Sequence, residues 1–497
     1  MSGGRSLGSQ AANGMAWSIF ATGGGRVVSL ASVAILARLL TPADFGLVAF
    51  ALVFIAYVEA VGDLGTGAAL IRWPDRWREV AQVTFGINLT MAAVWFALTF
   101  AAAPAIAHFF GSPAGIPVLQ ALAWTFPLKA LGNTHDALLQ RELRFRARAL
   151  PEVLLLVAKA AVAIPLALRG FGVWSLVWGQ LAGQALWTCL LWFLVPWRPA
   201  RRFPPVGVVR QVFTYGRGVV AVNVLAAVVH HIDLVVIGRS FGTAVLAFYQ
   251  MADKLPDMAV TLVSRATSKV LFPLFARLHS GNDALRDMYV ASLRNLSLLT
   301  TPASIALVML AEPIVLTVFG PQWLPSVPIL RALGAYAGIR ALSASAGDVL
   351  KAIGRPGTLA AFGVVRAVVL IPALLLASAK GPVAVAATLT GVTTISTIAT
   401  IVFICRLRTI PIRAVTEALR PSFAAGSVLA ISLVIVLQTT ARLAPSLQLI
   451  IASVVGLTTY GVALSVLSPD IWRDVLRTAA VRRNAPTRAT VLAEADA

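Results

Sequence analysis

The chain has 497 residues, of which 58% are hydrophobic and only 12% are charged, against roughly 25% charged residues in an ordinary soluble domain. This composition argues against a soluble enzyme, and the long unbroken apolar runs argue against the alternating strands of a transmembrane barrel. The formal net charge of +21 would indicate nucleic-acid binding only if the basic residues formed a patch.

Fourteen membrane-spanning helices are predicted from the apolar runs, each close to the roughly 20 residues that cross a bilayer. In chain order the predicted spans cover residues 15–37, 43–66, 80–103, 115–135, 149–168, 172–195, 213–237, 243–268, 292–318, 325–349, 358–379, 382–405, 421–440 and 446–467. A polar tail, residues 1–14, precedes them, and a second tail, residues 468–497, follows them. The prediction is an all-α polytopic membrane protein with little mass outside the bilayer.

Basic residues alternate from one connection to the next, which predicts the orientation of the chain. Connections on one side, counted together with the adjoining ends of the spans, hold 27 Lys and Arg residues, and those on the other side hold only Arg38, Arg169, Arg239, Lys380 and Arg442. Because Lys and Arg collect in cytoplasmic connections, both termini are predicted to be cytoplasmic. The charge is spread over eight segments instead of one patch, so nucleic acid is not an expected partner.

Two pairs of similar segments predict an internal repeat. Residues 38–46 are similar to residues 239–247, and AIPLAL at 163–168 is similar to LIPALL at 370–375. Because six helices separate the paired segments, the repeat is predicted to be parallel, with two lobes suited to alternating access. The predicted domains are an N-terminal tail (1–14), an N-lobe of helices 1–6 (15–195), a cytoplasmic linker (196–212), a C-lobe of helices 7–12 (213–405), an extra helix pair (421–467) and a cytoplasmic tail (468–497).

Basic residues within the predicted spans are the candidate binding groups, because a charge at the bilayer centre costs about 2.5 kcal/mol or more on insertion scales. Arg26, Arg340 and Arg366 lie near mid-span. Their position predicts a water-filled cavity, and guanidinium groups suit an anionic cargo because they bind phosphate oxygens bidentately. The alternative interpretation is structural, with ion pairs between helices or long side chains that reach the headgroups.

Carboxylates within the spans are candidates for ion coupling, namely Glu59, Asp63, Asp233 and Asp257. Glu59 and Asp63 are four residues apart and therefore share one helix face. Asp257 lies three residues after Lys254, a spacing that also allows the two side chains to pair with each other. A structural ion pair is again the alternative interpretation for each carboxylate.

Motifs of enzymatic chemistry are missing from the sequence. There is no G-x-x-x-x-G-K-[ST] phosphate loop, no HExxH and no GxSxG, and the only cysteines are Cys189 and Cys405. No catalytic residue, cofactor or metal site is therefore predicted, and the chain is not expected to be an enzyme. Any energy for its work would come from a gradient across the membrane.

Three segments carry a family resemblance. The stretch ARLLTPADFGLVAFALVFIAYVEAVGDLGTGAALIR, residues 37–72, resembles the opening signature of the polysaccharide transporter family. So do residues 138–153 with the following 170–183, and residues 213–273 resemble the second-half signature. The resemblance extends over about residues 15–410. It identifies the chain as similar to oligosaccharide and O-antigen flippases of the multidrug/oligosaccharidyl-lipid/polysaccharide exporter superfamily.

The resemblance implies a function and a set of roles. Members of the family flip undecaprenyl-diphosphate-linked oligosaccharides across the bacterial inner membrane for lipopolysaccharide, capsule or exopolysaccharide synthesis. A cationic central cavity would receive the sugar–diphosphate head while the lipid tail stays among the membrane lipids. That role would fall on Arg26, Lys254, Arg340 and Arg366. A polymerase and glycosyltransferases of the same pathway would be partners.

Three other functions remain open from the sequence. A cation-coupled small-molecule antiporter of the same superfamily would use an acidic site, which Glu59, Asp63 or Asp233 can supply. A membrane enzyme such as a polymerase would need a large external loop with charged catalytic groups, and the predicted external connections are short. A lipid II flippase is a further transport alternative.

Overall fold

A computed structural model describes residues 7–62, 65–73, 75–200, 206–277 and 282–469, and the side chains in these ranges except those of 7–22, 206, 217, 219, 221 and 262–284. Every regular element in the described part is helical. The helices are α1 (Leu7–Leu39), α2 (Pro42–Gly62), α3 (Thr66–Arg72), α4 (Trp77–Phe109), α5 (Ile116–Leu122), α6 (Thr125–Arg141), α7 (Phe145–Leu168), α8 (Val173–Leu194), α9 (Val206–Arg277), α10 (Asn282–Met309), α11 (Ala311–Val318), α12 (Val327–Ala352), α13 (Pro356–Ser378), α14 (Pro382–Leu407), α15 (Ile412–Thr439) and α16 (Pro445–Leu467). Short 3-10 turns lie at Pro113–Gly115 and Pro321–Ser326.

The predicted all-α polytopic membrane class is confirmed. Among the described residues, eight helical segments are long and apolar enough to cross a membrane, and a ninth is added if the bent pair α10–α11 is one span. The other predicted spans coincide with α1, the α5–α6 pair, α8 and α12. These helices carry charged, glycine, tryptophan or glutamine residues along their length, so the count of fourteen stays a prediction.

Several predicted spans are interrupted in the structure. The predicted span 43–66 divides into α2 and α3, with Gly65 in the left-handed region at φ 61°. The predicted span 292–318 bends by 76° between α10 and α11. Conversely, the seventh and eighth predicted spans join in α9, whose continuity is broken at Gly242 (φ 82°, ψ 176°). Helix α1 begins at Leu7, so helical structure extends into the segment predicted as a polar tail.

The helices pack in two groups that follow the order of the chain. In the N-terminal half, α1 packs on α7, α7 on α8, α8 on α6 and α6 on α4. In the C-terminal half, α12 contacts α9, α10 and α14, while α13 packs on α14 and α9. Helices α15 and α16 pack on each other, and α15 also packs on α10, which attaches this last pair to the C-terminal half. The predicted interfacial helix at 470–483 lies outside the described residues.

The closest approach between the two halves is the crossing of α2 and α9. A Cβ atom added to Gly46 would lie 2.2 Å from the carbonyl oxygen of Thr243. Glycine is required there because the two backbones touch, as at other close crossings of membrane helices. Both residues belong to the similar segments 38–46 and 239–247, so the two copies of the sequence pattern meet each other in space.

Replacing Gly46 by alanine is expected to destabilise this crossing, because the new methyl group has no room beside the Thr243 backbone. Overpacking of this kind costs about 1–3 kcal/mol. The apparent unfolding temperature of the purified protein in detergent should therefore fall. Gly86→Ala is the matched control, since Gly86 also lies inside a helix but has no atom within 4 Å of the added Cβ. An equal unfolding temperature for the two variants would contradict the close crossing.

A latch of polar and aromatic contacts joins the halves at the end of the molecule where α1 meets α2. We call this end, which contains Trp323, the Trp323 end. The fully buried Trp323 donates its indole N–H to the Ala37 carbonyl oxygen at 2.9 Å. Its ring packs edge-on against Phe45 with centroids 5.3 Å apart. Gln322 donates to the carbonyl oxygens of Ala37 and Leu40, and Arg38 donates to that of Thr317. The halves are thus in contact at the end that the sequence predicts to be extracytoplasmic.

Candidate central cationic site

Three helices bring charged residues to one depth in the bundle. Helix α1 ends, α9 breaks at Gly242 and α12 begins at the Trp323 end. Arg26 precedes the end of α1 by 13 residues, Asp257 follows Gly242 by 15, and Arg340 follows the start of α12 by 13. At 1.5 Å per residue each side chain lies about 20 Å from that end. Residues far apart in sequence therefore meet inside the bundle, about two-thirds of the way across a bilayer about 30 Å thick.

Asp257 is shared by two guanidinium groups, and we call these three residues the triad. An Nη atom of Arg26 lies 3.1 Å from one carboxylate oxygen of Asp257, and an Nη atom of Arg340 lies 3.2 Å from the other. The side chains are 27–31% exposed. Partial exposure at this depth indicates a space that water can enter between the helices. The two arginines come from opposite halves, so Asp257 ties α1 to α12.

Arg366 extends the positive charge beyond the triad. It donates to the hydroxyl of Thr393 at 2.9 Å, and its Nε atom is buried without a partner among the described residues. Its charge acts on His230, which also interacts electrostatically with Arg340. The guanidinium of Arg340 lies over the ring of Tyr336, 5.8 Å from its centroid. Arg366 is thus an additional cation beside the triad, with donor capacity left over.

Lys254 lies one turn before Asp257 but does not pair with it directly in the structure. It lines a pocket of about 140 Å³ between the halves, together with Lys159, Ser29 and Gln250. Lys159 donates to the side-chain oxygen of Gln180 at 2.7 Å. The pairing of Lys254 with Asp257 that the spacing allowed is replaced by the two arginines, because these come from neighbouring helices and present more donors.

The predicted coupling carboxylates that the structure describes do not contact one another, although Asp233 and Asp257 both interact electrostatically with Asp253 and Arg340. Glu59 pairs with Lys129 at 2.7 Å, and Asp233 accepts a hydrogen bond from the hydroxyl of Tyr249 at 3.0 Å. Asp257 belongs to the triad, and Asp63 lies outside the described residues. Across the part of the chain that the structure describes, no three His, Cys, Asp or Glu side chains are grouped so as to hold a metal ion.

The triad can hold an anion with two charges. Two guanidinium groups offer several N–H donors in planar forks that match phosphate oxygens, and Arg366 adds a third fork nearby. In the structure the Asp257 carboxylate takes the place that such oxygens would occupy. The sequence pointed to each of these arginines and to Asp257, but it did not predict that two arginines share the carboxylate, because a spacing of three residues points only to a partner on the same helix.

Comparisons with known proteins identify relatives of the chain and structures that share its fold. The chain is 29% identical over 355 residues to the succinoglycan biosynthesis transport protein ExoT of Rhizobium meliloti, 71% of each chain. It is 25% identical over 352 residues to the teichuronic acid biosynthesis protein TuaB of Bacillus subtilis, 70% of this chain and 73% of the relative. Among solved structures, the lipid II flippase MurJ in an inward closed conformation has the same fold, with a TM-score of 0.76 at 15% identity over 92% of this chain and 99% of that chain.

A protein-family model with the description "Polysaccharide biosynthesis protein" identifies the family of the chain. That model matches residues 35–328, more than half of the chain. The matched region contains α2 to α9 with Asp257, and it ends just inside α12. The resemblance seen in residues 37–72 and 213–273 is thereby confirmed, and the chain belongs to the polysaccharide biosynthesis protein family.

Proposed function

We propose that the protein carries a lipid-linked oligosaccharide across the bacterial inner membrane by alternating access, with both termini in the cytoplasm. The cargo is an undecaprenyl-diphosphate-linked oligosaccharide destined for lipopolysaccharide, capsule or exopolysaccharide. Family membership and the names of the relatives support transport for polysaccharide synthesis over an enzymatic role. The fold shared with a lipid II flippase supports a lipid-linked cargo.

The observation that carries the proposal is the sharing of Asp257 by Arg26 and Arg340. A diphosphate that enters the central space has more negative charge than one carboxylate and can replace Asp257 between the guanidinium groups. Arg366 and Lys254 would contact the same head group. Because the two arginines belong to different halves, the exchange of Asp257 for cargo changes what holds the halves together. Binding is thus coupled to the movement of one half against the other.

Coupling to an ion is assigned to Asp233 within this proposal. It is 6% exposed and lies on α9, whose second half carries Asp257. Glu59 and Asp257 are each paired with a cationic side chain, so neither offers a free carboxylate to a coupling ion. The same pairing removes Glu59 from the acidic site that a cation-coupled drug antiporter would use, whereas Asp233 stays available to either kind of transporter. A polymerase and glycosyltransferases of the same pathway are the proposed partners.

Alanine in place of Arg26, Arg340 or Arg366 is expected to reduce surface polysaccharide roughly 10- to 100-fold, because each change removes charge-assisted hydrogen bonds worth about 1.5–3 kcal/mol. The variants should be expressed in a strain that lacks the transporter. Surface polysaccharide and the lipid-linked oligosaccharide retained in the membrane should both be measured. The lipid-linked precursor should accumulate while the variant protein remains in the membrane.

Arg413→Ala is the control, since Arg413 forms an exposed ion pair with Glu417 and its side chain is 87% exposed. This variant should export polysaccharide normally. Normal export by all three single variants of the cavity arginines would contradict the central site. Failure of the deletion strain to accumulate a lipid-linked oligosaccharide would contradict the proposed function as a whole.

A further inference from the structure

A second cavity lies within the N-terminal half, away from the triad. It has a volume of about 440 Å³ and is enclosed by α2, α3, α4 and α6, with Asn223 of α9 completing the wall. This volume falls within the roughly 300–1,000 Å³ range of sites for small ligands. The cavity contains neither Arg26 nor Arg340, so it is a separate site and not an extension of the triad.

The charged groups in the wall of this cavity neutralise one another. Glu59 pairs with Lys129 at 2.7 Å. The carboxylate of Asp136 is bound by both arms of the Arg148 guanidinium, at 2.8 and 3.0 Å. Among the described wall residues, each carboxylate therefore has a cationic partner. The described part of the wall therefore offers no excess charge to a cation or to a phosphate.

Neutral amides and aromatic rings supply the remaining binding groups. The side-chain amides of Asn133, Gln140 and Asn223 line the cavity and make no hydrogen bond to another described residue. Each amide offers both donors and an acceptor. Trp95 and Phe126 supply apolar surface in the same wall. Amides beside an aromatic surface match an uncharged ligand with many hydroxyl groups and apolar ring faces, which is the chemistry of a saccharide.

The cavity is connected to the triad through α2 and α9. Tyr57, two residues before Glu59 on α2, packs edge-on against His231 with ring centroids 6.3 Å apart. His231 interacts electrostatically with Arg340 and Asp257. Asn223 precedes His231 by eight residues on the same helix, a distance of about 12 Å. A head group whose diphosphate lies at the triad therefore has its sugars within reach of the cavity.

We propose that this cavity, which we call the amide cavity, is a binding site for the saccharide part of the cargo. The proposal rests on the proposed function, because the diphosphate at the triad brings the sugars to the cavity. The two sites would bind different parts of the cargo. The triad binds the diphosphate that all such cargoes share, and the amide cavity binds the sugars, which differ from one cargo to another.

The test compares two lipids that differ only in the sugars. Binding of undecaprenyl diphosphate and of the lipid-linked oligosaccharide that accumulates in the deletion strain should be measured on the full-length protein in lipid nanodiscs. The double variant Asn133→Leu with Asn223→Leu removes two amides at nearly constant volume, and apolar residues do not impair insertion into the membrane. Its affinity for the oligosaccharide lipid should fall roughly tenfold, as expected for two lost neutral hydrogen bonds. Its affinity for undecaprenyl diphosphate should be unchanged.

Gln438→Leu is the matched control, because Gln438 is an exposed amide on α15, outside the amide cavity. It should bind both lipids as the wild type does. Unchanged affinity of the double variant for the oligosaccharide lipid would overturn the saccharide site while leaving the proposed function intact. Equal weakening toward both lipids would overturn it as well. A wild-type protein that binds neither lipid would instead overturn the proposed function.

Discussion

Replacing Asp257 by alanine is expected to reduce polysaccharide export by roughly 100-fold, although Asp257 is not a group that binds an anionic cargo. The change leaves Arg26 and Arg340 without their common counter-ion, so the two halves repel each other when the site is empty. Breaking a buried ion pair costs about 3–5 kcal/mol. Because the triad is nearly one-third exposed, solvent screening lowers this cost to about 1–2 kcal/mol for each of its two ion pairs. The sum corresponds to about two orders of magnitude in an equilibrium constant.

Asp257→Asn keeps the shape of the side chain and should show the same direction of effect with less risk to folding. Surface polysaccharide and the amount of protein in the membrane should be measured for both variants. Glu417→Ala is the matched control, since it removes a carboxylate from the exposed pair with Arg413. Wild-type export by both Asp257 variants would contradict the role of the shared carboxylate.

Replacing Trp323 by alanine is expected to open the molecule at the Trp323 end. The buried indole makes a hydrogen bond to Ala37 and packs on Phe45, both in the N-terminal half, and it also packs on Phe248 of its own half. Removing a large buried aromatic side chain costs about 3–5 kcal/mol. Because the contacts with Ala37 and Phe45 cross between the halves, most of this cost falls on the closed state, and the open state should gain about 100-fold in population.

Accessibility of a single thiol can detect this opening. A cysteine introduced as Ser29→Cys, in a background without Cys189 and Cys405, would line the pocket between the halves. An impermeant thiol reagent applied from the extracytoplasmic side should modify it about 100-fold faster in the Trp323→Ala variant. Trp124→Ala is the control, because that tryptophan is 53% exposed and packs on Phe96 within one half. Equal modification rates in the two variants would contradict the conclusion that Trp323 holds the halves together at the Trp323 end.

Much of the fold follows from the sequence because apolar length is a direct physical requirement of the bilayer. The predicted spans 358–379 and 382–405 differ from α13 and α14 by no more than two residues at any end. The breaks were harder to predict. Gly242 occupies a left-handed conformation inside α9, and Leu310 separates α10 from α11 at a sharp bend. Such features are decided by contacts between helices, and hydropathy carries no information about them.

The candidate site was predictable in its residues and not in its pairings. A mid-span arginine is costly in a membrane, so Arg26, Arg340 and Arg366 stood out from the sequence. Asp257 was assigned to ion coupling, whereas the structure pairs it with Arg26 across 231 residues of sequence. The amides of the amide cavity were not predicted. A neutral side chain such as Asn133 costs less to bury in a membrane than a charged one, so its presence in a span does not by itself indicate a site. Amides within the predicted spans include Asn133 and Asn223, whereas Gln140 follows the predicted span 115–135.

The depth of the triad also sets how the membrane potential acts on transport. In the proposed cycle the site also contains Arg366 and Lys254, and Asp257 makes it one charge more negative whether it is empty or loaded. The interior of a bacterial cell is electrically negative, so this charge favours outward movement of the loaded site and opposes the return of the empty site. Each effect amounts to about 2.3 kcal/mol per 100 mV for a full charge crossing the field. The carboxylate thus moves electrical work from the return of the empty carrier to the export of the cargo.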